Sequence, residues 1–372
     1  MIPFDFFYGV YCNHFFNKIG VSILHPVFND GRLTFEHQVV TTNPATRIIV
    51  FYDQEPIDLN KFYGTVYRVH QVTKEQCKIV VSSEYSTEST IICNDYGLNS
   101  IQYFYHALLC HEWYRKHWYD DIEVNTDFDR TYITYNNQTL TKRLYRANLV
   151  IELTNRNLLD NGYVSYNNSK FHLIPVSLST YTLLPVTHKV NIQNNLGILQ
   201  KQLIIDTVAP HGELSAEIDV AGMQKAFVNL VTETIFYENK QHLTEKIFKP
   251  IVAKMPFLLL AGVGSLRYLR NYGFKTFGEF WDESYDDIVN SVDRFNAVML
   301  ILEDLCNKPH SELVAMKIAM SEILEYNFNH FYKTLRPIVV DEFTSKLGDA
   351  LTQANISYDP LDLHNLNRIL TY

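Results

Sequence analysis

Cysteine is sparse in this 372-residue chain: Cys12, Cys77, Cys93, Cys110 and Cys306 are scattered and odd in number, with no CxxC pair and no tight Cys/His spacing. That argues against a tetrahedral zinc site and for a reducing compartment. No stretch approaches the roughly 18 uninterrupted apolar residues that span a bilayer, and the opening MIPFDFFYGVY has no basic segment ahead of its apolar run. The chain therefore reads as cytoplasmic, without a membrane anchor. A P-loop, a G-x-G-x-x-G fingerprint and a G-x-S-x-G elbow are all missing, which removes the commonest phosphate-cradling and nucleophilic-serine readings. Positive charge is in deficit, 32 Lys and Arg against 41 Asp and Glu for a net −9. A broad phosphate-tracking surface is thereby disfavoured, although a local basic cleft is not. There is no internal repeat and no low-complexity tract.

What is present suits a folded protein. With 47% hydrophobic and 20% charged residues the composition is globular, and at roughly 100–200 residues per domain the length suggests two domains. Phe4 to Val10, Arg47 to Asp53 and Cys77 to Ser83 are short β-branched and aromatic runs that read as buried strands. In IIVFYDQEP the apolar run stops abruptly at Asp53, Gln54, Glu55 and Pro56, as a parallel strand does at the carboxyl edge of an open sheet, where ligands bind. Ser100 to Tyr119 reads as a covering helix rich in aromatics. The acidic DDIEVNTDFDR, 120–130, marks a boundary. Beyond it, Thr131 to Tyr135 reads as a strand and Lys142 to Leu159 as a helix closed by Asn161-Gly162. Ala226 to Phe236 and Pro256 to Ala261 then read as strands, with helices over Thr244 to Met255 and Ser265 to Tyr272. From Asp287 onward the pattern is helical, with long helices over 287–307 and 310–335. The expected division is 1–125, 126–345 and a helical tail, 346–372.

The densest charge on a strand–loop–helix unit is VNLVTETIFYENKQHLTEKIFKPI, 228–251. Glu233 falls in a strand that otherwise wants burial, and a buried carboxylate needs a partner or a ligand. Glu245, Lys246 and Lys249 sit in the first turns of the next helix. Glu245 and Lys249, four apart, form an ordinary surface ion pair on one reading. On the other they belong to a phosphate and ribose site, where a helix N-terminus attracts anions, a lysine adds charge and a glutamate accepts sugar hydroxyls.

The run from Phe227 to Gly262, with Glu233, Thr244-Glu245-Lys246 and the closing Pro256-Phe257-Leu258-Leu259-Leu260-Ala261-Gly262, resembles the donor-binding motif of GT-B glycosyltransferases of the α-1,3-fucosyltransferase type and related phage-encoded enzymes. Two upstream echoes fit the same family. Arg146 lies where the family places an arginine that reaches the donor diphosphate, with Arg143 as the alternative, and VFYDQEP resembles the acceptor-side strand whose end carries a glutamate base. The family's Phe-Glu-Asn segment matches either Thr232-Glu233-Thr234 or Phe236-Tyr237-Glu238-Asn239. Residues 273–288, GFKTFGEFWDESYDDI, also look like the phage branch. They read either as a loop packing Phe280 and Trp281 with Asp282, Glu283, Asp286 and Asp287 in solvent, or as a flap over the donor.

The resemblance implies an α/β, GT-B-like fold: two Rossmann-like domains facing a cleft, with C-terminal helices. It implies a glycosyltransferase moving a sugar from a nucleoside-diphosphate donor to an acceptor hydroxyl, inverting and metal-independent, in the host cytoplasm if phage-encoded. Arg146, Arg143, Glu233, Glu245, Lys246 and Lys249 would bind donor. Glu55 would be the base, with Glu84, after VVSS, as second choice. No cofactor beyond the nucleotide-sugar and no metal is expected. The acceptor stays open between a glycan and a hydroxymethylated DNA base, and a catalytically silent binding protein of the same fold is the rival reading.

Overall fold

The computed structural model describes residues 12–24, 28–29, 32–33, 47–52, 56, 67, 77–203 and 215–371. The strand expected over Phe4 to Val10 lies outside the described residues. The chain is α/β and divides into two compact units, Met1–Glu112 with Thr334–Tyr372, and Trp113–Lys333. The divisions thus fall near 112 and 333, where the sequence pattern suggests 125 and 345, and the C-terminal helices belong with the N-terminal strands.

The first unit carries β1 (Val21–Leu24), a short antiparallel pair β2 (Phe28–Asn29) and β3 (Arg32–Leu33), then β4 (Arg47–Tyr52), β5 (Cys77–Ser82) and β6 (Asn99–Gln102). Four of these form one parallel sheet in the order β1-β4-β5-β6. Ile48, Ile49, Val50 and Phe51 of β4 and Ile79, Val80 and Val81 of β5 are all buried, as strands covered on both faces must be. The helix expected over 100–119 is shorter. Ser100 and Ile101 pair with Val80 and Val81 as strand β6, and the helix covers only Tyr105–Trp113. Short apolar runs of this kind satisfy either period, and pairing to an existing sheet edge decided it. The helices Arg336–Gln353 and Pro360–Thr371 complete this unit. Lys346 Nζ donates to the Gln102 carbonyl at 2.6 Å, the Phe343 ring lies 4.7 Å from that of Tyr103, and Lys18 pairs with Asp362 at 2.7 Å.

The second unit carries β7 (Arg130–Asn136), β8 (Gly162–Tyr166), β9 (Ala226–Thr232) and β10 (Phe257–Leu260), all parallel, in the order β10-β9-β7-β8. β9 and β10 are buried at every residue. Three expectations shift here. The helix after β7 spans Leu144–Asn155 and ends before Gly162, Asn157 taking the left-handed turn with φ 57°. Gly162 instead opens β8, where a Cβ would stand 2.3 Å from the Tyr132 ring, so only glycine fits beneath it. β9 stops at Thr232 rather than 236: the Glu233 amide makes a last bond to the Leu260 carbonyl of β10 at 3.0 Å, while its side chain already binds the loop ahead. The stretch 310–335 is not one helix but His310–Ala319, Ser321–His330 and a π turn, Phe331–Leu335.

Candidate functional site

In the second sheet β8 flanks β7 on one side, while β9 and β10 continue on the other, so the strand order reverses between β7 and β9. In open parallel sheets the loops leaving two such strands part to opposite faces, and the crevice at their carboxyl ends is the usual ligand position. Here those ends are Asn136 and Thr232. The Thr232 hydroxyl donates to the Tyr135 carbonyl at 3.1 Å and lies 3.2 Å from Asn136 Oδ1, which fixes the two strand ends side by side.

Arg146, on the helix after β7, reaches the same point. Its Nη2 donates to the carbonyls of Thr232 at 2.6 Å and Glu233 at 3.1 Å, and its Nη1 to that of Gln138 at 3.0 Å. The side chain is buried, and its Nε has no hydrogen-bond partner among the described residues. Arg146 thus braces the carboxyl edge through backbone oxygens. Tyr145 adds its hydroxyl to the Glu233 carbonyl and stacks on Phe236 at 4.6 Å. Burial raises the Tyr145 phenol above its ordinary range against the pull of Arg146, so it stays a donor. Arg143 is half-buried and close enough to act electrostatically on that phenol.

Glu233 is wholly buried. Its carboxylate accepts from the Thr244 amide at 3.1 Å, the Thr244 hydroxyl at 2.7 Å and the Thr234 amide at 3.2 Å. Burial raises its pKa, with the nearby Lys246 ammonium and the Thr244 hydrogen bonds pulling it back down. The carboxylate therefore clasps the two ends of the 234–244 loop. Thr244 precedes the Glu245–Val252 helix, but its hydroxyl is turned to Glu233, and it makes no side-chain cap to the helix amides. Helix N-termini carry unsatisfied N–H groups and a partial positive charge. Lys246 Nζ stands beside them, partly exposed, donating to Glu245 Oε1 at 2.8 Å, Thr244 Oγ1 at 3.0 Å and Thr234 Oγ1 at 3.4 Å. Lys249 is half-buried one turn on.

Both alternatives for the Phe-Glu-Asn segment are visible. Glu233 ends the strand, whereas Glu238 lies on the loop and pairs with the buried Lys240 at 2.8 Å. Arg294 holds this loop, its guanidinium donating to the carbonyls of Phe236, Ala261, Ile288 and Val289 and lying 4.9 Å over the Phe236 ring. Gly262 lets the loop approach, since a Cβ there would meet the Lys240 carbonyl oxygen at 2.5 Å.

In the segment 273–288 Trp281 is buried as expected, but Phe280 is only half-buried, Tyr285 is buried with Trp281, and two of the acidic residues are not solvated. Glu283 accepts from Thr276 Oγ1 at 2.6 Å and the Phe277 amide at 2.8 Å. Asp286 accepts from the Leu266 and Arg267 amides at 2.8 and 2.9 Å, filling the start of the Ser265–Asn271 helix with an internal anion.

Of the expected donor-side residues, Arg146, Arg143, Glu233, Glu245 and Lys246 gather around the carboxyl edge of β9, with Lys249 on the next turn of the same helix. Glu84 lies in the first unit just past β5, buried, its amide donating to Ser82 Oγ at 3.1 Å. Glu55 and Asp53 lie outside the described residues. Tyr145 and Asn136 carry no signal in the sequence. Thr244 stood inside the Thr-Glu-Lys motif, but nothing local signals that its hydroxyl serves a carboxylate eleven positions earlier. Among the described residues no group of three or more His, Cys, Asp or Glu is arranged to hold a metal ion, and no helix is long and apolar enough to cross a membrane. No family model matches the chain, and neither a curated protein nor a solved structure does.

Proposed function

We propose that the chain is a glycosyltransferase of GT-B type that binds a nucleoside-diphosphate sugar on its Trp113–Lys333 unit. The observation that carries this reading is the meeting, at the reversal between β7 and β9, of an uncapped helix start with the Lys246 ammonium. Together they supply fixed N–H dipoles and a positive charge for a diphosphate. Glu245, beside Lys246, is the acceptor for sugar or ribose hydroxyls. Arg146 and Glu233 act as positioning residues, since both are buried and hydrogen-bonded to the edge they shape.

In the reaction the acceptor hydroxyl attacks the anomeric carbon as the bond to the diphosphate oxygen breaks. The hydroxyl proton passes to a carboxylate, and the nucleoside diphosphate leaves with the electron pair, its charge met by Lys246 and the helix amides. By the resemblance Glu55 is the base, with Glu84, buried just past β5, as the second choice. A second reading, a silent binding protein, is favoured by one observation: the two most motif-like charged residues, Arg146 and Glu233, already have internal partners.

Thermal unfolding with UDP, GDP, CMP and ADP, each with and without EDTA, separates the two. An enzyme gains stability with one nucleotide, about 2.7 kcal/mol at a hundredfold excess over Kd. The gain is insensitive to EDTA and falls to about 1.4 kcal/mol in Lys246→Ala at the same nucleotide concentration. No shift with any nucleotide leaves the silent scaffold.

A further inference from the structure

A single hydroxyl joins the Glu233 carboxylate to the Lys246 ammonium. Lys246 Nζ donates to Thr244 Oγ1 at 3.0 Å, and that hydroxyl donates to Glu233 Oε2 at 2.7 Å. Lys246 also serves a second carboxylate, Glu245, at 2.8 Å. Two acidic groups thus draw on the cation that a diphosphate has to recruit. Glu233 is wholly buried, where water does not screen its charge. Burial raises its pKa most, Lys246 opposes the rise, Glu245 adds to it and the Thr244 hydrogen bonds oppose it. From the Leu144–Asn155 helix, Arg146 and Tyr145 meet the main-chain carbonyl of Glu233, with Arg143 acting on the Tyr145 phenol. On the loop, Glu238 and Lys240 pair with one another at 2.8 Å, and His242 is buried. From β10, the Leu260 carbonyl takes the Glu233 amide.

We propose that a nucleoside diphosphate binds at this helix start together with one proton, which Glu233 takes up from solvent. The inference rests on the donor-binding reading. A diphosphate brings negative charge to Lys246, and an ionised Glu233 then faces it across one hydroxyl, which favours the neutral acid. The proton has a place to sit. As the ammonium and the Thr244 O–H turn to phosphate oxygens, Glu233 Oε2 gains a hydrogen and donates it to Thr244 Oγ1. Meanwhile Oε1 goes on accepting from the Thr244 amide at 3.1 Å. The clasp on the loop is kept, and its charge is lost. Lys246, no longer shared with an ionised Glu233, is freer to meet the phosphate. Affinity therefore rises as pH falls from above the pKa of Glu233 in the bound state towards its pKa in the free protein.

The full chain and its Glu233→Gln variant are titrated with UDP, GDP and ADP by calorimetry, from pH 6 to 8, in buffers of different ionisation enthalpy. The variant's amide offers one acceptor and one donor, as the protonated acid does, and the nucleotide's own titration is common to both proteins. For the nucleotide that binds, the wild type should take up more protons than the variant, by about one at most. At pH 8 the variant should bind about tenfold tighter, the equivalent of one pKa unit, where a merely damaged site would bind more weakly. Equal proton counts at every pH overturn the proposal, as does weaker binding by the variant at pH 8. Should the variant fail to fold, the wild type decides alone. Its infrared difference spectrum should gain a protonated-carboxyl band on nucleotide binding, and absence of that band overturns the proposal. Absence of binding heat with all three nucleotides is a different result, which overturns the donor-binding reading and this inference with it.

Discussion

In the N-terminal sheet the described strands succeed one another in a single direction, β1-β4-β5-β6, whereas in the C-terminal sheet the chain sets β8 on one side of β7 and then crosses for β9 and β10. Both sheets are parallel, and both place a buried glutamate just past an inner strand: Glu84 after β5 and Glu233 after β9. The local devices are alike, yet they are differently used. The Glu84 amide folds back on Ser82, three residues from a helix whose N-cap, Ser86, accepts from Ser89. Glu233 instead reaches eleven residues ahead, and the helix that follows keeps its first amides without a side-chain cap. A buried acidic residue at a strand end is therefore not enough to mark a ligand site. The reversal of strand order, which parts the loops, supplies the opening.

The largest effect expected from breaking this contrast is in Glu233→Ala, which strands two amides and a hydroxyl in the interior. Unfolding monitored through hydrogen exchange of β9 should show a loss of about 3 kcal/mol, while exchange of β5 stays unchanged. Glu233→Gln tests the same group by charge. Because burial raises the folded pKa above the unfolded value near 4.5, the wild type is favoured below that value and loses ground as pH rises through the folded pKa. Urea titrations upward from pH 4.5 should then show the Gln variant gaining on the wild type until the pH passes the folded pKa, with a constant difference beyond it.

A comparable swing belongs to Lys317, which is buried in the C-terminal unit against the Ala226 carbonyl at 3.1 Å and the Phe128 ring at 4.8 Å. Burial brings its pKa down from 10.5 to about 7. Between those values the unfolded chain holds the proton and the folded chain does not, so stability rises with pH. Relative to Lys317→Met the wild type should gain about 1.4 kcal/mol per pH unit between pH 7 and 9, read from denaturant midpoints. A flat difference would mean that the lysine stays charged when folded.

Gly262→Ala pushes a methyl group into the Lys240 carbonyl and should lower stability by about 2 kcal/mol, with a weakened response to nucleotide in the same melting curves. Smallest of all, and the sharpest on function, Lys246→Ala should leave the melting temperature of the free protein within a degree or two while reducing nucleotide affinity about tenfold, near 1.4 kcal/mol. Glu84→Gln should leave that affinity untouched by calorimetry. If Glu84→Gln instead abolishes nucleotide binding, the functional contrast between the two sheets collapses.

Much of this architecture is legible in the amino-acid order. IIVFY and FLLL are continuous apolar runs, which is how strands covered on both faces must read, and the turn into DQEP after the first and into the glycines of AGVG after the second marks the carboxyl edge. The site is legible as a cluster, because Glu233, Glu245 and Lys246 lie within one strand–loop–helix unit. Their roles are not. Whether Glu233 faces a ligand or an internal amide depends on where Thr244 returns, and that is set by the path of the intervening loop rather than by any local pattern. Likewise Asn161-Gly162 carries a helix-stop signature, but the glycine answers to the Tyr132 ring from another strand. The SIQYFY segment satisfies both periods until β5 offers it a partner.

The Arg294 guanidinium draws carbonyls from three separate stretches of chain, around 236, 261 and 288–289, onto a single planar group. Until all three arrive, a cation stripped of water lacks acceptors, so partial assembly gains little from the contacts already made. The loops that border the crevice should then order together, late and in one step. Kinetically, an Arg294→Lys change would speed unfolding far more than it slows folding, since it removes contacts that are absent until the final approach.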